Sequence, residues 1–149
     1  MKIMKYILIT LSLFFIQLEV HSENFEVKML NQGESGIMVF EPAVLKINVG
    51  DTVTFKATDA AHNSASIPGM IPENASAWFG DLSRDITIKF EVPGVYGYQC
   101  TPHAMMAMVG VIEVGDDQSN LSEVKLKAQT YKNTFVMNQT RLDDYLSKL

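Results

Sequence analysis

Short segments with strand signals run through most of this chain, and turn-forming residues separate them. Residues 25–29 alternate apolar and polar side chains, which is the pattern of a β-strand with one face buried. The pairs Gly50-Asp51 and Pro93-Gly94 are turn signals that interrupt the pattern. Several short strands joined by such turns predict a β-sandwich or a β-barrel. The predicted strands lie at residues 25–29, 38–40, 44–49, 52–56, 86–91, 95–98 and 109–114.

Two regions depart from this strand pattern. Residues 57–85 lack strand periodicity and are long for a simple connection, so we expect a functional loop with some local structure. Toward the C-terminus, apolar residues recur instead at spacings of three and four, which is the period of a helix. Asn120 followed by Glu123 predicts the N-cap of a first helix, and a second is predicted from about Thr134. We therefore expect residues 119–149 to form two helices packed on the sheet.

The N-terminus has the pattern of a targeting segment. Two lysines precede the apolar run Tyr6–Ile16, which is about half of the ~20 residues that a membrane-spanning helix needs. A positively charged start, a short apolar run and a possible cleavage site at Val20-His21-Ser22 predict a secretory signal peptide over residues 1–22. We expect the cleaved chain, residues 23–149, to be a single exported domain that is not held in a membrane.

Charge and cysteine content exclude several classes of protein. The net charge is −5 and the pI is about 5.1, which argues against a nucleic-acid binder that relies on neutralising phosphates. The single cysteine, Cys100, excludes an intramolecular disulfide. Removing the signal peptide also removes His21, so the only histidines of the mature chain are His62 and His103. Any histidine chemistry is therefore confined to these two positions.

The residues with metal-binding chemistry concentrate between the last two predicted strands. Cys100 is followed three residues later by His103, and three methionines come just beyond. Thiolate and thioether are soft ligands that suit copper, and two histidines with one cysteine and a weak axial methionine form the blue copper site. The second histidine, His62, follows the predicted strand 52–56, and its neighbour Asn63 could donate a hydrogen bond near the sulfur. This pattern predicts one copper site.

Each of these residues also has a simpler interpretation, and two other functions share the motif. A lone cysteine is often a small buried apolar residue, and methionines often fill gaps in a core. A copper carrier or storage protein would expose several methionine or histidine ligands. A cysteine–histidine nucleophilic enzyme would need an orienting group, oxyanion donors and a cleft, none of which is evident. One thiol in a closed ligand set favours a fixed electron-transfer site, so we expect the protein not to be an enzyme.

At these residues the sequence resembles the cupredoxins, and within them the pseudoazurins, which are small periplasmic electron carriers. The resemblance covers almost all of the mature chain, and its motifs are Phe25–Asn31, Met38–Ala43, Gly50–Phe55, Gly69–Pro72, Pro93–Gly97 and Met108–Val111. It implies a mainly β fold, a Greek-key β-sandwich with two C-terminal α-helices. Asn63 would steady the ligand loop.

The resemblance also implies a ligand set for the metal. One copper ion per chain, cycling between Cu(I) and Cu(II), would be bound by Nδ1 of His62, Sγ of Cys100, Nδ1 of His103 and an axial Sδ of Met108. Met106 would give the shorter loop of a related cupredoxin type. We favour Met108 because Met108-Val-Gly-Val resembles the start of the family's last strand.

The implied function is that of a monomeric, periplasmic blue copper protein that carries single electrons between redox partners such as copper nitrite reductase and c-type cytochromes. Residues 60–72 and 92–112 contain no charged side chain, which predicts an apolar docking patch around His103. Relatives commonly carry lysine where this chain has Gln99 and Ala60, and the Ala104–Ala107 loop also departs from them. We therefore expect a weakened ring of positive charge, to which Lys56 and Lys89 could still contribute.

Overall fold

The computed structural model describes residues 21–149, in which eight strands form two four-stranded sheets around one core. The strands are β1 (Asn24–Gly33), β2 (Gly36–Glu41), β3 (Val44–Ile47), β4 (Thr52–Lys56), β5 (Ala65–Ser66), β6 (Ile86–Lys89), β7 (Gly94–Gln99) and β8 (Val109–Val114). The strand orders are β2-β1-β4-β6 and β3-β8-β7-β5, with β1–β4 and β3–β8 parallel and the other pairs antiparallel. The expected mainly β sandwich is confirmed. The predicted signal peptide lies almost wholly outside the described residues.

Aromatic side chains from both sheets fill the core. The Tyr98 ring centroid lies 4.8 Å from that of Phe40 and 5.0 Å from that of Phe55, and both pairs meet edge to face. Trp78 stacks on Phe55 from the long loop between β4 and β6. Burying an aromatic or large aliphatic side chain stabilises the fold by about 1.5–3 kcal/mol. The loop is therefore held by the core, which gives it the local structure that the sequence predicts.

The one strand that the sequence pattern does not predict lies in this loop. β5 has two residues, too few to show an alternating pattern, and it pairs with the end of β7 through Ala65 and Gln99. The other strands begin and end within a few residues of their predicted bounds, and β4 and β8 coincide with them. The pairing of β5 with β7 matters for function because it brings the segment after β4 beside the end of β7.

The C-terminal region forms two helices, as predicted, with different details. They are α1 (Leu121–Tyr131) and α2 (Arg141–Leu146), with a short 3-10 helix at Lys132–Thr134 between them. The prediction that the second helix begins near Thr134 is wrong, because the chain runs as an irregular segment until α2. No helix in the region described is both long enough and apolar enough to cross a membrane.

Asn120 is the N-cap residue of α1 and Glu123 lies in the first turn, as predicted, but the Asn120 side chain makes no cap hydrogen bond to the helix. Instead, Oδ1 accepts from the backbone N–H of Val95 at 2.8 Å, and Nδ2 donates to the carbonyl of Val95 at 2.9 Å. The amide thereby satisfies both backbone groups of a residue in β7, and it docks the start of α1 on the second sheet.

Candidate metal centre

Three ligand-type side chains converge at one end of the sandwich. The Sγ of Cys100 lies 3.3 Å from Nδ1 of His103 and 3.6 Å from Nδ1 of His62. The two Nδ1 atoms are 3.1 Å apart, and all three ligand atoms lie within 4.8 Å of one another. The structure therefore brings together the cysteine and both histidines that the sequence singles out.

Different structural elements hold each of these side chains in position. His62 lies in the loop after β4, and the pairing of β5 with β7 holds that loop against Cys100, the residue after β7. His103 lies at a kink in the 3-10 helix Thr101–Met106, whose second residue is a proline. The helix keeps His103 close to the cysteine, because the His103 N–H donates to the Cys100 carbonyl at 3.2 Å.

Burial differs among the predicted ligands. His62, Cys100 and Met108 have no solvent-exposed surface, whereas His103 is half-buried. An electron or a small reagent would therefore reach the site through the His103 ring. Water is excluded from the other three side chains, so polar interactions among them are stronger than at the surface.

The buried histidine has a hydrogen-bond partner that the sequence does not predict. The Nε2 of His62 lies 2.9 Å from Oδ1 of Asn31, in β1. The backbone N–H of Asn31 in turn donates to Oδ2 of Asp59 at 2.7 Å. Metal-binding histidines commonly donate their second ring N–H in this way, which sets the tautomer and the ring orientation. Asn31 belongs to the resemblance motif Phe25–Asn31, but no local pattern connects it with His62.

Asn63 ties the two ligand loops together. Its Oδ1 accepts from the backbone N–H of Thr101 at 2.8 Å and from the Thr101 hydroxyl at 3.1 Å, and its Nδ2 donates to the Gly80 carbonyl at 2.9 Å. The prediction that Asn63 donates near the sulfur applies to its backbone N–H, which acts to lower the pKa of the Cys100 thiol. The side-chain amide instead binds Gly80.

The site also shifts the acidity of its ligands. Burial raises the pKa of the Cys100 thiol, and the backbone N–H groups of Asn63 and His103 offset part of that increase. Burial, together with the nearby His103, lowers the pKa of His62. Without metal, the thiol is therefore protonated and His62 is neutral near pH 7. A buried protonated thiol is a poor nucleophile, and metal binding must displace its proton.

The two methionines considered as axial ligands differ in position. The carbonyl of Met108 accepts from the Cys100 N–H at 2.9 Å, and the Met108 N–H donates to the His103 carbonyl at 3.3 Å. Met108 thus lies between two of the predicted ligands and is fully buried. Met106 is partly exposed, and its carbonyl accepts from Asn138.

This chain has counterparts among known proteins. A model of copper-binding proteins of the plastocyanin/azurin family matches residues 27–115. The chain belongs to this copper-binding family. It is 39% identical to the pseudoazurin of Methylorubrum extorquens over 128 residues, which are 86% of this chain and 83% of that protein. It is 44% identical to the pseudoazurin of Paracoccus pantotrophus over 100 residues, 67% of this chain and 69% of that one.

The fold of this plastocyanin/azurin family member matches solved pseudoazurin structures as well. The Sinorhizobium pseudoazurin superposes with a TM-score of 0.75 at 40% identity, covering 85% of this chain and 95% of that one. The Methylobacterium extorquens AM1 pseudoazurin gives a TM-score of 0.74 at 37% identity, covering 84% and 98%. The fold is thus the cupredoxin sandwich that the sequence predicts.

Copper is the metal of this family, and the residues present fit it. One cysteine and two histidines with converging ligand atoms form the soft and borderline donor set that suits copper. Family membership and the pseudoazurin relatives together support a blue copper electron-transfer protein.

Proposed function

We propose that this chain is a periplasmic blue copper (type 1) electron-transfer protein, with one copper ion bound by His62, Cys100, His103 and an axial Met108. The observation that carries the proposal is the convergence of one thiol and two Nδ1 atoms within 4.8 Å in a buried site. When bound, copper supplies single-electron chemistry by cycling between Cu(I) and Cu(II). Strong thiolate and imidazole ligands with a weak thioether are the donor set of such centres.

The residues around the ligands hold them in place in both oxidation states. Asn31 binds the far nitrogen of His62, so Nδ1 points at the site. Asn63 fixes the start of the loop that carries His103 by accepting two hydrogen bonds from Thr101. Hydrogen bonds of this kind would limit rearrangement of the ligands when an electron arrives or leaves, which favours fast electron transfer.

The burial of Cys100 distinguishes this function from the two alternatives. A nucleophilic enzyme needs an accessible thiolate, whereas Cys100 is fully buried and its pKa is raised by burial. A copper carrier or storage protein needs ligands that exchange metal readily, whereas two of the three clustered ligands have no exposed surface. Both observations favour a fixed redox site and a protein that is not itself an enzyme.

An absorption spectrum after adding Cu(II) to the purified mature protein tests the proposal. We expect an intense visible thiolate-to-copper band at one equivalent of metal, lost in Cys100→Ser and retained in Met106→Leu. Copper binding without the band would indicate the carrier instead. Failure to bind copper would reject both.

The proposed partners are copper nitrite reductase and c-type cytochromes, which would dock around the half-buried His103. Met105, one residue beyond Ala104, has 54% of its surface exposed. Val136, whose side chain is exposed, adjoins Met105, because the Val136 N–H donates to the Met105 carbonyl at 2.7 Å. A small apolar patch without charges suits brief redox encounters. We expect the carrier to be a monomer, which gel filtration of the purified protein would measure.

Export to the periplasm is proposed from the signal peptide pattern at residues 1–22. Mass spectrometry of the protein isolated from its native cells should give a chain that begins at or near Glu23. An intact N-terminus would contradict the proposal.

A further inference from the structure

The C-terminal helix α2 directs a buried cation at the segment next to the proposed copper ligands. Arg141, the first residue of α2, is 8% exposed. Its Nη1 donates to the carbonyls of Ala107 at 3.0 Å and Met38 at 3.1 Å, and longer contacts of 3.4 Å reach the carbonyls of Ser35 and Ile37. Arg141 takes part in none of the ion pairs found within residues 21–149. Its charge is therefore stabilised by the dipoles of backbone carbonyls.

The two shortest contacts are to residues with an unusual backbone. Met38 has φ = 49° and Ala107 has φ = 58°, both in the left-handed region. Residues with side chains rarely adopt this region, and such conformations persist only where the surroundings hold them. A single nitrogen, Nη1 of Arg141, binds the carbonyls of both residues. The guanidinium therefore links two strained points that are far apart in the sequence.

One of these points controls the course of the ligand loop. Ala107 ends the 3-10 helix that contains His103, and it directly precedes Met108. Its N–H donates to the Ala104 carbonyl at 2.9 Å, and the next N–H, that of Met108, donates to the His103 carbonyl at 3.3 Å. The conformation at Ala107 therefore sets where Met108 lies relative to His103.

We propose that Arg141 is a positioning residue for the copper site, which holds the left-handed conformation at Ala107 and thereby fixes the spacing between His103 and Met108. The inference rests on the copper site proposed above. Arginine suits this role because its planar guanidinium presents five donors in a fixed fork, so it can bind several carbonyls at once. Lysine keeps the charge but cannot reproduce the fork. The C-terminal helix would then act on the metal site and not only on the stability of the fold.

Two substitutions separate the effect of the guanidinium's donor geometry from the effect of its positive charge. Arg141→Lys keeps the charge, and Arg141→Met keeps much of the apolar stem without any donor. In the copper-loaded protein, we expect both to change the relative intensities of the visible bands and the reduction potential. Loss of a group that orients a metal ligand typically lowers metal affinity about 10–100-fold. We expect a loss in that range for Arg141→Met and a smaller loss for Arg141→Lys, measured by competition of Cu(I) with bathocuproine disulfonate.

Two control variants distinguish positioning from general stability. Lys132→Met removes another C-terminal cation, one that pairs with Asp143 at 2.5 Å. Leu146→Ala removes a buried side chain from the same helix. We expect Leu146→Ala to lower the thermal stability, and we expect neither variant to change the visible spectrum, the potential or the Cu(I) competition. If Arg141→Lys and Arg141→Met also leave these three properties unchanged, the inference is wrong.

A measurement on the unmodified protein covers the case in which the variants do not fold. The sequence contains two arginines, and the second, Arg84, is exposed. With ¹⁵N-labelled arginine, the Arg141 guanidinium protons should exchange with water slowly and shift when Cu(I) is added, while those of Arg84 do neither. Exchange of Arg141 as fast as that of Arg84, or signals that Cu(I) does not shift, would overturn the inference. An unmodified protein without a blue copper band would instead reject the proposed function.

Discussion

The Nε2 atom of His62 lies 2.9 Å from Oδ1 of Asn31, across a separation of 31 residues in the sequence. An amide oxygen can only accept, so Nε2 carries the proton and Nδ1 presents its lone pair to Cys100 and His103. The Asp59 carboxylate holds the backbone of Asn31 in turn. A buried histidine of the proposed copper site is thus oriented by a strand that contributes no proposed ligand.

Replacing Asn31 with leucine should weaken copper binding without removing a ligand. The His62 N–H would lose its acceptor, and the ring could rotate or change tautomer. Loss of such a partner typically lowers metal affinity about 10–100-fold, and competition with a copper chelator measures it. Asn24→Leu is the matched control, because Asn24 lies at the start of β1 and accepts from Thr52 and Thr54. Equal copper affinities for the two variants would contradict the role assigned to Asn31.

Substituting glutamine at the two candidate axial methionines should give unequal results. Met108 is fully buried beside Cys100 and His103, so Met108→Gln should change the visible spectrum and the reduction potential clearly. Met106 is partly exposed, so Met106→Gln should leave both nearly unchanged and alter the free energy of unfolding by less than about 0.5 kcal/mol. The reverse ranking would assign the axial position to Met106.

The parts of the fold that the sequence predicts well are those with a strong local pattern. Val109–Val114 is rich in β-branched residues, is buried along its whole length, and appears as β8 without a shift in its bounds. Ala65–Ser66 is too short for any period, so β5 emerges only from its pairing with β7. The second helix begins late, at Arg141, because Asn138 adopts a left-handed φ of 53°, which interrupts a right-handed helix. Tertiary contacts overrode local preference at these places.

The same distinction applies to the site. His62, Cys100 and His103 can be identified from the sequence because their residue types are scarce and their chemistry is specific. Asn31 and Arg141 act through hydrogen bonds between segments that are distant in sequence. Neither residue type is a characteristic metal ligand, and neither residue lies in a ligand motif, so no pattern of spacing reveals their roles. Their positions emerge only when the chain is folded.

The protein should lose stability in alkali as buried tyrosines are forced to ionise. Burial raises the pKa of both Tyr96 and Tyr131 to about 12, against about 10 in the unfolded chain. The unfolded state therefore releases these protons first, and stability falls as the pH rises from about 10 to about 12. Denaturant unfolding at fixed pH values, followed by circular dichroism, measures the decrease. Tyr131→Phe should make the decrease shallower, and a stability that is constant up to pH 12 would contradict the prediction.

Electron transfer to a c-type cytochrome or copper nitrite reductase should depend only weakly on salt. The two lysines that could have formed a positive rim are both paired, Lys56 with Asp85 and Lys89 with Glu91. Gln99 and Ala60, where the sequence resemblance would lead us to expect lysine, carry no charge. Attraction between oppositely charged surfaces speeds association, and salt screens that attraction. The association rate of a surface without such attraction should therefore change little with salt. Stopped-flow rates between low and physiological ionic strength measure the dependence, and a steep decrease would show that other residues supply a positive ring.

Adding one charge to the proposed docking patch should change the rate in a predictable direction. Met105→Glu places a carboxylate in the patch around His103, so transfer to an acidic partner should slow, by up to about tenfold at low salt. Salt should then restore most of the rate, because the repulsion is screened. Val49→Glu makes the same charge change at an exposed apolar residue that follows β3. The last residue of β3, Ile47, accepts a hydrogen bond from Gly115, just beyond the end of β8 that is farther from the proposed ligands. This control should leave the rate nearly unchanged, and equal slowing by both variants would show that net charge acts on the encounter and not the patch around His103.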